Sequence, residues 1–327
     1  MELSANTTDL PEKFGPMTVK ELRQSLRRSS FVYPFICIHI FATIAIFAEF
    51  QLPEFGSSGT SAVLLWDVRY IGPFWWVAMA ICGIIMPLAG FFLMQQEVEE
   101  GNHELLLLTP LSRWQIITGK FFMLWGLSVL TFTSLLPYVV IRYFIGGIEW
   151  GQELANAGTV ISAAAILSAG SIASSGFGNI AARLGTFVLF LCAAATGGGA
   201  GMIGGGMVLA MGKTSKYGIL CSLFYHFSAL CVVACYCVMG LLIARSRMRL
   251  ATMSFELKPS SLLLIILGLS PFVIGMAAAV SCGFGSVAGV IVLAFLAWHS
   301  DVTPKAPKWM PSPPPNIPPP LPASARD

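Results

Sequence analysis

Charge is what this chain has least of. Only 11% of its 327 residues are Asp, Glu, Lys or Arg, against roughly 25% in an average soluble domain. Too few charged side chains remain to coat a water-facing surface, which excludes a soluble enzyme. A disordered chain is excluded by the opposite quantity, because 56% of the residues are hydrophobic. A net charge of +3 is too small to imply nucleic acid. Paired cysteines are missing too. Cys37, Cys82, Cys192, Cys221, Cys231, Cys235, Cys237 and Cys282 all lie in apolar runs, and none has the Cys-x-x-Cys spacing of a metal or redox site. They read as small packing residues. Catalytic signatures are also absent. His103-Glu104 lacks the second histidine of a zinc-protease helix. Gly212-Lys213-Thr214 resembles the end of a phosphate loop, but Met207 stands where the loop needs its first glycine. No catalytic residue, metal ligand or nucleotide site of the chain's own is expected.

What the chain has is long apolar runs. A bilayer-crossing helix needs about 20 apolar residues. That rule places runs at about 31–50, 73–94, 117–141, 154–176, 185–211, 217–243, 260–281 and 283–299. The fourth is weak, being rich in Ala, Ser and Gly, and the last two are close enough to form a hairpin. Six to eight crossings are compatible with the pattern, and eight is the expectation. No signal-peptide pattern precedes the first run.

The expected fold is an all-α polytopic membrane protein. Sorting Lys and Arg onto alternate sides of eight spans puts 15 on one side. The other side holds only Arg69, Arg142, Lys213 and Lys216. Basic residues collect on the cytoplasmic side, so both termini are expected there. Trp66, Tyr70, Trp75 and Trp76, and then Tyr138, Tyr143 and Trp150, lie at outer boundaries and read as headgroup anchors. Glu49 and Asp67 read as outer-surface residues with no special role.

The expected organisation has four parts. Residues 1–30 form a cytoplasmic N-terminus in which Thr18 and Glu21 make a capping box. Val19, Leu22 and Leu26 share one face there, with Lys20, Arg23, Arg27 and Arg28 around it, as in a helix lying flat on a membrane surface. Residues 31–245 form the main bundle, 246–300 a C-terminal hairpin, and 301–327 a disordered tail. The tail from Pro304 holds ten of the twenty prolines, which suits an extended segment.

Within the spans, Gly197, Gly201 and Gly205 recur every four residues, as do Gly285 and Gly289. Such a stripe serves close helix packing, or a hinge. With Gly198, Gly199, Gly204 and Gly206 beside it, the fifth span is a candidate for a broken or re-entrant helix. Pro87, Pro137 and Pro271 are expected to kink their spans. His39 and His226 fall mid-span, either functional or hydrogen-bonded to a neighbouring helix.

The most informative stretch follows the second span. Glu97, Glu99, Glu100 and Glu104 border a run of four leucines, Leu105 to Leu108, too short to cross a membrane. Thr109-Pro110 breaks it, and Ser112 can cap the next helix. A leucine face rimmed by carboxylates fits a groove on a cytoplasmic partner.

Glu99-Glu100-Gly101-x-x-Glu104-Leu105-Leu106-Leu107-x-Thr109-Pro110-Leu111-Ser112, followed by Ile116-x-x-Gly119-Lys120, resembles the signature of ABC type-2 permeases, the membrane subunits of ATP-driven exporters. The resemblance implies a coupling helix at about 97–113 that docks into a separate ATPase subunit. Glu97, Glu100, Gly101, Glu104, Leu105, Leu108, Thr109, Pro110, Leu111 and Arg113 are then the contact candidates. It also implies a bacterial-type inner (plasma) membrane, a second permease subunit (identical or related) and ATP with Mg on the partner. The substrate is not readable. A rival reading is a non-transporting scaffold or a secondary transporter. The latter is expected to carry acids within its spans for ion coupling, and none is read there, Glu49 at the end of the first run being placed at the outer surface.

Overall fold

The computed structural model describes residues 22, 23, 25, 26, 29–51, 72–92, 113–146, 150–212, 217–247 and 261–300. Among them there is no strand, and the chain is an all-α polytopic membrane protein. With no water in hydrocarbon to satisfy backbone groups, a chain this apolar must bond them within helices.

The first span is α1 (Ser29–Gln51). The second, α2, starts at Pro73 and runs in four pieces. These are an α-turn Pro73–Ala78, a π-helix Met79–Ile85, a short α-segment Met86–Leu88 and a 3₁₀ end Ala89–Phe92. The π-segment ends just before Pro87, whose missing N–H cannot continue an α-ladder. The third is α3 (Arg113–Ser134) followed by α4 (Leu136–Gly146). The break at Leu135 sits two residues before Pro137, and the Leu135 carbonyl accepts from both Tyr138 N and Val139 N. Next come α5 (Trp150–Ser175), α6 (Ile180–Gly212), α7 (Gly218–Arg247), α8 (Leu262–Val280) and α9 (Gly285–Ser300).

Seven helices among the described residues are long and apolar enough to cross a membrane, α3 and α4 counting as one. The eighth apolar helix, α9, has 16 residues and folds back on α8. The turn between them takes Cys282 and Gly283 to φ values of 53° and 101°. Gly283 tolerates this for lack of a Cβ, and it lies directly against Gly204 of α6.

One departure from the sequence expectation concerns helix continuity. The glycine-rich fifth span is one uninterrupted 33-residue helix, not a broken or re-entrant one. Its glycines Gly197, Gly201, Gly204 and Gly205 are buried against α7, α8 and the α8–α9 turn, so packing supplies what propensity does not. Pro271 lies inside helix α8. The Leu267 carbonyl that it leaves without an i+4 donor accepts instead from Ser270 Oγ at 2.7 Å.

Two buried clusters share the middle of the bundle. The first joins α1, α2, α3, α4 and α5 with the end of α7, through Ile38, Phe74, Ile116, Leu135 and Ala169 among others. The second joins α5, α6, α7, α8 and α9, through Phe190, Tyr236, Leu267 and Val290. α5 belongs to both, and 78% of its most apolar window is buried. It also has the lowest mean hydropathy of the seven spans, 1.5. The Ala, Ser and Gly content that weakens it as an apolar run lets neighbours close on it. Gly170 lies under the Phe190 ring, and a Cβ on Gly240 of α7 would stand 2.9 Å from Ala169.

His39 is held by a neighbouring helix, with Nε2 3.1 Å from Ser134 Oγ. Ser134 gives its one proton to the Thr131 carbonyl at 2.6 Å, so the imidazole nitrogen is the donor. Near the N-terminus, Leu22, Arg23, Ser25 and Leu26 are helical. Ser25 Oγ meets Met123 Sδ at 3.4 Å, and Leu22 packs on the first core. The capping box and the tail from residue 301 lie outside the described residues.

Candidate functional site

Two places concentrate polar chemistry. One is the end of the bundle where α3 begins. Of the partner-contact residues expected from sequence, Arg113 is described and opens α3. Glu97, Glu100, Gly101, Glu104, Leu105, Leu108, Thr109, Pro110 and Leu111 lie outside the described residues, in the 93–112 connection between α2 and α3.

Beside Arg113, Trp114 packs against both cores. The Arg245 guanidinium at the end of α7 lies 6.0 Å from the centre of its ring. Trp298, near the end of α9, meets it edge-on at 5.9 Å and 76°. Arg247 stacks over Phe177 at 4.0 Å. Arg183 gives Nε to the Phe177 carbonyl at 2.6 Å, tying the start of α6 to the end of α5. Lys120 is fully buried one helical stretch along α3. This end therefore carries Arg113, Lys120, Arg183, Arg245 and Arg247, matching its basic character in the sequence.

The second place is the opposite end of the helices that form the first buried cluster, and sequence reasoning missed it. Arg142 of α4 is buried between two carboxylates. Its Nε donates to Glu49 Oε2 at 2.7 Å and Nη2 to Glu49 Oε1 at 3.3 Å. Nη1 donates to both oxygens of Glu153 at 2.8 Å. Trp75 Nε1 reaches Glu153 Oε1 at 3.2 Å, and the backbone N–H of Phe74 reaches Glu49 Oε1 at 3.1 Å. The guanidinium also lies 4.9 Å from the Phe74 ring centre. α1, α2, α4 and α5 are thus fastened at one point by charge-assisted hydrogen bonds.

Three sequence expectations are corrected here. Glu49 is not a free surface acid, since its side chain is 12% exposed and paired with Arg142. Trp75 is not a headgroup anchor, being 1% exposed and bonded to Glu153. An acid does lie inside a span helix, because α5 begins at Trp150 and takes in Glu153 before its apolar run starts. The ionic partner Arg142 lets the helix begin there. The available signal was the presence of Glu49, Arg142 and Glu153 at the ends of apolar runs in a chain with so little charge. Trp76 by contrast is 55% exposed, and the Tyr143 ring lies 4.8 Å from that of Trp150, tilted by 39°. Trp66, Asp67, Arg69, Tyr70, Lys213 and Lys216 lie outside the described residues.

The glycine stripe faces α7. Gly197 lies against the Tyr236 hydroxyl, and a Cβ on Gly201 would stand 2.7 Å from Val232 Cγ2. A Cβ on Gly205 would stand 3.3 Å from Tyr225 Cδ2. Among the described residues, no group of three or more His, Cys, Asp or Glu could hold a metal ion, and all eight cysteines are free. An apolar groove of about 690 Å³ opens beside α6 and α7, lined by Tyr217, Phe224, Phe227 and Phe284. With almost no polar lining, it offers nothing that would orient a charged ligand.

Residues 23–174 match the family described as ABC-2 family transporter protein. That segment contains α1 to α5, nearly to its end, the fastened end with Glu49, Arg142 and Glu153, and the whole 93–112 connection. Comparison with curated proteins and with solved structures returned no match. The matched segment, somewhat under half of the chain, is similar to the ABC-2 transporter family, and the apolar helices make the chain a multi-pass membrane protein.

Proposed function

We propose that this chain is the permease subunit of an ATP-binding cassette exporter, driven by a separate ATPase that grips residues 97–113. One observation carries the reading. The acidic, leucine-faced stretch lies inside the family-matched segment and joins two apolar span helices at the end rich in Arg and Lys. Basic residues favour the cytoplasm, where ATP is, and both termini and the stretch belong on that side of a bacterial-type inner membrane.

Leu105, Leu108 and Leu111 fill an apolar groove on the ATPase, while Glu97, Glu100 and Glu104 meet basic residues at its rim. Gly101 would give the chain the freedom to leave the second span, and Pro110 disfavours the helical region for Thr109 ahead of Arg113. ATP binds the closed ATPase pair better than the open one, and that difference in affinity supplies the work. ATP and Mg stay on the partner, and two permease subunits, identical or related, frame the path. The membrane chain transmits the movement from Arg113 into α3 and from Phe92 into α2.

Tagged full-length chain purified from its own membrane is expected to bring with it vanadate-sensitive hydrolysis of MgATP. Glu104→Arg places a cation against a basic rim, and Leu105→Gly removes an anchor. Each is expected to cut the ATPase retained per mole of chain by about tenfold or more, as for a central anchor residue, with membrane insertion unchanged. Retention at the wild-type level in both variants overturns the docking assignment. A cysteine placed at Asn102 is expected to resist an impermeant maleimide in intact cells and to react in inside-out vesicles. Labelling in intact cells would put the stretch on the wrong side of the membrane.

A further inference from the structure

We infer that the C-terminal hairpin is part of the transmission, with Trp298 a positioning residue for the docking stretch; this rests on the ATPase reading above. The family match ends at residue 174, so α8 and α9 lie wholly beyond it. They are nonetheless built into the bundle. Tyr236 of α7 lies 2.9 Å from Ser270 Oγ of α8, and Cys235 Sγ lies 3.5 Å from the Val290 carbonyl of α9. Leu293 and Ala297 are buried in the second core, at 2% and 0% exposure. The last turn of α9 is therefore fixed in space.

Trp298 follows Ala297 directly. Its side is 55% exposed, so it contributes little to the core, yet its ring abuts Trp114 edge to face. Trp114 is the residue after Arg113, where the docking stretch enters α3. Arg245 lies over the same indole from α7. Trp114 thus meets a ring from α9 and a cation from α7, and it packs on both cores. A force applied at residues 97–113 arrives first at this joint. With Trp298 in place the entry to α3 cannot tilt alone, so the hairpin holds the docking stretch at a set angle and moves with it.

The test uses tagged full-length chain from its own membrane and reads vanadate-sensitive MgATP hydrolysis per mole of chain. Trp298→Ala is expected to lower the retained activity by about threefold to tenfold, the range for losing one edge-to-face ring pair. Trp298→Phe, which keeps a ring edge, is expected to restore most of it, and Trp298→Leu, which keeps only apolar bulk, is not. Trp76→Ala removes an equally exposed tryptophan at the other end of the bundle and is expected to change nothing. Wild-type retention in Trp298→Ala, or equal rescue by Leu and Phe, overturns the inference. Should Trp298→Ala fail to reach the membrane, the comparison of Leu with Phe decides it alone. Glu104→Arg separates the two readings. If it cuts retention while Trp298→Ala leaves it at the wild-type level, the hairpin inference fails by itself. If Glu104→Arg leaves retention intact, the ATPase reading has failed.

Discussion

Arg142→Leu is expected to destabilise the chain by about 3–5 kcal/mol, the range for stripping one partner from a buried ionic cluster. The side chains of Glu49 and Glu153 are 12% and 3% exposed and face each other across the guanidinium. Removing Arg142 leaves two carboxylates in an apolar setting with only the Trp75 indole and the Phe74 N–H as donors. Desolvation and mutual repulsion then act together. Arg142→Lys keeps the charge but not the fork, since one ammonium cannot reproduce the contacts of Nε, Nη1 and Nη2. It is expected to fall between wild type and Leu. Glu49→Gln leaves one acid facing one base and is expected to be milder than either. The triple change Glu49→Gln, Arg142→Met, Glu153→Gln removes every charge at once and is expected to recover much of the loss, because the pair's desolvation is removed along with its attraction. Thermal unfolding of the purified chain in detergent, followed as the monodisperse fraction, ranks the four. A melting curve unmoved by Arg142→Leu would show that the fastening contributes no stability.

The difference between what could be read in advance and what could not has a single physical origin. Span positions follow from hydropathy, a property of consecutive residues. The first two apolar runs start at 31 and 73, against helices that begin at Ser29 and Pro73. Where a helix outruns its apolar run, a polar side chain is being received by a partner outside that run. α5 starts four residues early because Arg142 and Trp75 receive Glu153. α6 starts at Ile180 rather than 185 because Arg183 turns back to the Phe177 carbonyl. The glycine stripe was visible as a repeat, but whether it breaks or packs a helix depends on what stands opposite. Tyr236, Val232 and Tyr225 come from another span. The fastened end was invisible for the same reason. Glu49 and Arg142 are 93 residues apart, and no local pattern links them. The residues proposed to dock are the reverse case. Their chemistry is local and ordered, so 97–113 was legible as a motif, whereas the Trp114–Trp298 joint that borders it depends on tertiary packing.

Gly197→Ala is the change through which the stripe is best tested. A methyl group there meets the Tyr236 hydroxyl, which donates to the Ala193 carbonyl at 2.8 Å and sits 2.9 Å from Ser270 Oγ. Tyr236 is fully buried, so the ring has no open space to swing into. Either α6 and α7 move apart or the hydroxyl leaves its partners. Overpacking of this kind costs about 1–3 kcal/mol. Gly199 lies two residues away on the same helix with nothing within 4 Å of a Cβ. Gly199→Ala is expected to be neutral or stabilising by up to about 1 kcal/mol, since alanine restricts the unfolded chain and favours helix. Tyr236→Phe removes the clashing oxygen, so its combination with Gly197→Ala is expected to be less damaging than the two changes added together. The double-mutant cycle, read as melting temperature, isolates that coupling. The two alanine variants also separate the meanings of the stripe. Loss of stability at Gly197 but not at Gly199 follows if the glycines let α6 lie close on α7. Equal melting temperatures for both, with ATP-driven activity lost in both, would mean that α6 needs glycine for its freedom to bend rather than for its contact with Tyr236.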